Sequence, residues 1–199
     1  DFLRTNIVNY NNKNYYRVFN EDFNNGGRFY GPWWLHQIPS VLRKHILING
    51  KKTIEHDYSS LIIHQIYSEV GLNYFEENTY SEDPYSLNGV SVSERKINKA
   101  IIQIALNCEN FNEIEKRLNI FKEMNPKISD YIYSKCALRF QCKDSELARY
   151  IIKKCNSLLI PVLSIHDSFI VEETNGNFII DTMISAIKNA RLTSIPLIK

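Results

Sequence analysis

The stretch PVLSIHDSFIVEE, Pro161 to Glu173, leaves a folded chain few choices. Two apolar runs meet at the short polar corner His166-Asp167-Ser168, so they read as two strands joined by a tight turn. Strands that want burial thus lift a carboxylate, Asp167, to the head of a hairpin, and a lone carboxylate in such a place asks for a chemical reason.

A second hairpin is expected from Ile46 to Tyr58, with NGKK as its turn and TIEHDY as its second strand. Ser59 or Ser60 is then positioned to cap a helix through LIIHQIYSEV, stopped by Gly71. This puts Asp57 at a strand-to-helix junction. A helix is expected from about 93 to 107, with Ile97, Ile101 and Ile104 on one face and Arg95, Lys99 and Gln103 in line at four-residue spacing on another. Further helices should run from about 111 to 124, from about 129 to 155 with a break near Lys143-Asp144, and from about 177 to 190. The Asn- and Tyr-rich opening reads as a polar connection or weak strands ending at Gly26-Gly27. Strands separated by runs of helices imply an α+β fold with a small, largely antiparallel sheet packed by helices.

With 199 residues, 44% of them hydrophobic, one core is affordable, and the whole of 1–199 is expected to form one domain. Because the chain opens on Asp1, it is expected to be a piece of a longer protein. Twenty-four basic and 22 acidic side chains leave a net charge of +2, so any nucleic-acid surface must be local. The four cysteines and five histidines show no metal-finger spacing, and no apolar run reaches membrane-spanning length; a reduced, cytoplasmic protein is expected, with no membrane partner.

Asp57 and Asp167 end strands that one small sheet can bring together. Two carboxylates at adjacent strand ends suit a pair of hard divalent cations, one activating a hydroxyl and one holding the leaving group, as phosphoryl and nucleotidyl transfer require. Such chemistry also needs cations on the triphosphate, and Arg95 and Lys99 lie one turn apart on one helix face.

Here the residues converge on a known family. GGRFYGPWWLHQIPSVLRKHI followed by IEHDYSSLI resembles the family A DNA polymerase run leading into its motif A, RKINK resembles motif B, and His166-Asp167 resembles motif C. The Ser168-Phe169 that follows is similar to the single-subunit RNA polymerases of phages, and QCKDSELA is similar to the helix preceding motif C. Four motifs in the family's order carry more weight than any one alone. The resemblance implies a palm with reduced helical fingers, the latter an insertion at about 73–156. It implies two Mg²⁺ or Mn²⁺ ions held at Asp57, Asp167 and the adjoining Tyr58. Arg95, Lys99, Gln103 and Ile62 would face the nucleotide, with Lys99 also a proton donor to pyrophosphate. Arg28, Arg43, His166, Gln141 and His64 would meet nucleic acid.

The pattern also departs from the family. Ile62 stands where the DNA enzymes have a sugar-excluding Glu, and Gln103 and Asn107 stand where an aromatic or Met and then a Tyr are expected. Relaxed sugar choice and a primase-polymerase of phage or mobile-element type follow as expectations. The partners implied are a DNA primer-template or single-stranded template, nucleoside triphosphates, and a domain or replication protein such as a helicase or primase supplying a thumb. The competing reading is a degenerate palm that binds nucleic acid or a partner without catalysis.

Overall fold

Strand β6 (Ser168–Glu172) explains why its sequence is apolar without alternation: all five of its residues are buried, because both faces of the sheet are covered. The computed structural model describes residues 8–109 and 115–199. Within it, β3 (Leu47–Ile48), β4 (Lys51–Asp57), β5 (Leu163–Ile165) and β6 form one antiparallel sheet in the order β3-β4-β6-β5. β4 and β6 pair from Thr53 with Glu172 to Asp57 with Ser168. β5 and β6 close on Ile165 opposite Ser168, leaving His166-Asp167 as a two-residue turn. The first turn residue, His166, has φ of 56°, the left-handed conformation that tight hairpins need at that position and that His tolerates better than most residues.

The helices are α1 (Trp33–His36), α2 (Ser40–Arg43), α3 (Leu61–Glu69), α4 (Tyr74–Glu77), α5 (Arg95–Ala105), α6 (Glu115–Met124), α7 (Ala137–Ser157) and α8 (Gly176–Asn189). One face of the sheet sends Phe169 and Val171 against Leu147 and Ile151 of α7 and Ile179 and Met183 of α8. The other sends Ile170 and Ile165 against Trp34, Leu35 and Ile46. A separate core, built on Ile63, Ile66 and Tyr67 of α3, joins α5, α6 and the first turn of α7.

Several elements differ from expectation. β1 (Tyr16–Asn20) and β2 (Asp22–Tyr30) form a hairpin of their own; Gly26 and Gly27, at φ of 76° and 74°, lie inside β2 beside its register shifts, and the reversal comes at Glu21, also left-handed. Arg17 fixes this hairpin to α7 by bonding Ser145 and Glu146 while stacking on Phe19 and Phe29. α7 runs unbroken through Lys143-Asp144, and a 3₁₀ turn at Pro126–Tyr131 precedes it. Ser60 occupies the position before α3 with φ of 57° and no side-chain cap; its hydroxyl is buried without a partner. On α5 the buried stripe is Asn98, Ile101, Ile102 and Ala105, while Ile97 and Ile104 are exposed. The start of the helix expected at 111 lies outside the described residues.

Candidate active site

The β4–β6 pairing carries Asp57 to the end of its strand beside the hairpin turn that bears Asp167. The backbone continues the pairing past Asp57, with the Tyr58 amide donating to the Asp167 carbonyl at 3.2 Å. The other edge of β4 is tied by residues 197–199: Asp57 and Lys199 exchange backbone hydrogen bonds at 2.9 and 3.0 Å, and the Ser59 amide donates to the Leu197 carbonyl at 2.8 Å. Both strand edges at Asp57 are therefore satisfied, and its position is held by two segments distant in sequence.

The electrostatics match two acids forced into company. Protein mass around the Asp57 carboxyl, and next the like charge of Asp167, push it up to about 7 although the residue keeps an exposed side. Burial raises Asp167 as well, against the pull of Arg28 and Lys99. Lys99 makes no ion pair among the described residues; its ammonium lies 5.7 Å from the Tyr85 ring centroid and its charge acts on both aspartates.

A cavity of about 180 Å³ opens beside Asp167. Six of the residues expected at a site line it together: Arg28, Ile62, Lys99, Gln103, Gln141 and Asp167. Tyr85, Phe140, Gln65 and Asp144 line it too, and sequence reading missed all four. Asp144 is the most consequential. It is buried on the cleft side of α7, accepts a hydrogen bond from Arg28 Nε at 3.0 Å with Nη2 in ion-pair contact at 3.0 Å, and is raised by burial and then by Asp167. The cleft therefore holds three interacting carboxylates, not two. Among the described residues, no three His, Cys, Asp or Glu side chains form a ready metal-ligand cluster.

Other expected residues lie elsewhere or are otherwise engaged. Arg95 is outside the cavity lining and forks onto both oxygens of Asp83. Arg43 forks onto Glu55 at 2.8 and 3.1 Å, and Glu55 also accepts from Ser168. Arg43 thus orders the sheet beneath the turn. His64 is 1% exposed, bonds Ser194 at 2.8 Å and packs on Tyr74 and Phe75; burial lowers it to about 4, so it is a neutral core histidine that cannot meet nucleic acid. His166 sits against Tyr30 and His36, with its Nδ1 buried and unpartnered; burial, then the charge of Arg28, lowers it to about 4. Tyr58 buries its ring and donates its hydroxyl to the Met183 carbonyl at 2.6 Å, which leaves only its backbone for the cleft.

No protein-family model and no curated protein matches the sequence. Among solved structures, the chain is similar to the POL domain of Pol1 from M. smegmatis, determined in complex with DNA primer-template and dNTP, with a TM-score of 0.53 and 12% identity over 92% of this chain. That match spans 46% of the mycobacterial chain. The fold is polymerase-like: α+β, with small antiparallel sheets packed by many helices. No helix among the described residues is long and apolar enough to cross a membrane.

Proposed function

We propose that this chain is the palm and reduced fingers of a template-directed nucleotidyltransferase that extends a nucleic-acid 3′ end, acting as one domain with nucleoside triphosphates and a DNA primer-template or single-stranded template as partners. The observation that carries the reading is the meeting of Asp57 and Asp167 beside Lys99, which makes no ion pair among the described residues, within a polymerase-like fold.

Two adjacent carboxylates, Asp57 raised by burial and by the charge of Asp167 and Asp167 raised by burial, fit a hard divalent cation that completes its shell with water and substrate phosphates rather than with an all-protein cage. Mg²⁺ or Mn²⁺ held by Asp57 and Asp167, with Tyr58 contributing through its backbone, would lower the pKa of the attacking hydroxyl and neutralise the triphosphate. Lys99 faces the same cavity and supplies the remaining positive charge, with a proton available for the departing pyrophosphate. Tyr85 packs beneath Lys99, narrowing the directions the ammonium can take. Gln103, Ile62 and Gln141 line the walls where the sugar, base and template would lie.

A second reading, a palm that binds without catalysis, draws on the state of the arginines. Arg95 is held by Asp83 and Arg28 by Asp144, so Arg95 must change partner before it reaches a triphosphate and Arg28 before it reaches nucleic acid. Primer extension with Mg²⁺ or Mn²⁺, with deoxynucleotides beside ribonucleotides, separates the two. Templated product abolished by Asp57→Asn or Asp167→Asn supports the transferase; no product at any metal concentration, with tight primer-template binding, supports the binding module.

A further inference from the structure

Behind the cleft, across α3, lies a larger groove of about 590 Å³ between α3, α7 and α8. Gln65 belongs to the walls of both the cleft and this groove; it is 2% exposed, and its Nε2 has no hydrogen-bond partner among the described residues. A buried amide with nothing to donate to is costly, and it marks a place built for a ligand or a water. The floor is apolar, with Leu147 and Leu192, and the Tyr150 ring is half-buried in it.

The rim is basic. On α7, Lys143, Tyr150 and Lys153 recur at helical spacing along one side, a line of about 15 Å at the α-helical rise, with Arg149 beside it and Arg191 facing from the end of α8. Glu69 takes up Arg139 and Lys143, and Glu146 takes up Arg149 together with Arg17. Lys153 and Arg191 have no ion pair among the described residues and are exposed. Arg191 holds φ of 56° just after α8, a left-handed position where glycine is the usual occupant, so a long cation stands there against backbone preference.

We propose that this groove binds single-stranded nucleic acid, with Lys143, Lys153 and Arg191 along its phosphates and Tyr150 beneath a base. The inference goes beyond nucleotidyl transfer and does not depend on it. A polynucleotide carries one charge at every residue, matching cations repeated along a helix, and every base offers a flat face to a tyrosine. An acidic peptide would also meet the charges but has no need of the ring.

The test is fluorescence anisotropy with labelled oligothymidylate from 50 to 200 mM salt, the range over which phosphate contacts weaken most visibly. Lys153→Gln/Arg191→Gln, both exposed, should bind about tenfold more weakly at the low-salt end and lower the slope of log affinity against log salt by about 0.7 per cation removed. Tyr150→Leu, which keeps the packing, should lose about fivefold or more with the slope unchanged. Lys127→Gln, an exposed cation that lines neither the cleft nor the groove, should leave this binding intact. The proposal is overturned if the groove variants bind as wild type at an unchanged thermal midpoint, if Lys127→Gln weakens binding as much as they do, or if the groove variants lose affinity for polyglutamate and not for the oligonucleotide.

Discussion

The backbone amide of Tyr58 donates to the carbonyl of Asp167 at 3.2 Å, so the strand-to-helix junction and the hairpin turn are joined directly at their tips. Neither aspartate can move far without breaking main-chain bonds. Two like charges are thereby held together by structure that does not depend on their side chains.

If those carboxylates carry the reaction, Asp57→Asn and Asp167→Asn should each lower primer extension by about a hundredfold or more while leaving the fold intact, because the backbone pairing survives the change. Single-turnover extension rates and circular dichroism of the same preparations check this. Rates within a few-fold of wild type would remove these residues from the chemistry.

The pH dependence has a definite sign. The native Asp57 keeps its proton up to about 7, whereas the unfolded residue releases it near 4, so between those values the native state binds more protons and stability falls as pH rises. Urea unfolding without divalent cations should show this slope between about pH 4 and pH 7, and Asp57→Asn should flatten it. At pH 8, Mg²⁺ should raise the wild-type midpoint and leave that of Asp57→Asn unchanged.

Arg28→Ala should destabilise by about 3 kcal/mol, since it strands the buried Asp144 beside Asp167. Arg28→Met/Asp144→Leu should recover most of that loss, because it removes the charge together with its partner. Denaturant midpoints of the single and double variants decide it; equal destabilisation in both would mean that the pair is not what holds the hairpin to α7.

Tyr58→Phe should cost about 1 kcal/mol of stability and little activity, because it deletes a buried hydrogen bond to Met183 while keeping the ring and the backbone at the cleft. Thermal unfolding and extension rate measured together test that separation. A large loss of activity without loss of stability would give the hydroxyl a direct role.

The parts legible in sequence were those whose signal is local. The His166-Asp167 turn, the junction at Asp57 and the spacing of Arg95 and Lys99 each fit within one or two elements, and the structure holds them where the pattern put them. What was not legible depends on partners far along the chain. Asp144 looked like a helix break, but Arg28, 116 positions away, meets it in the cleft. His64 looked like a residue near substrate because nothing local announces that Ser194 will cover it from 130 positions on. Arg95 has the right spacing and the wrong neighbour: Asp83, in the loop before α5, claims it. On α5, Asn98 takes a core position that hydrophobic periodicity assigns to isoleucine, because it donates to the Tyr85 carbonyl and accepts from Arg117.

The tie between Asp57 and Lys199 also bears on how the protein is made. Translation runs in one direction, and the edge of β4 at Asp57 finds its partner only after residues 194–199 have left the ribosome. While nascent, the chain can build its helical half and still lack a finished corner at Asp57, so a chain cut before residue 197 would keep a folded body with a loosened centre.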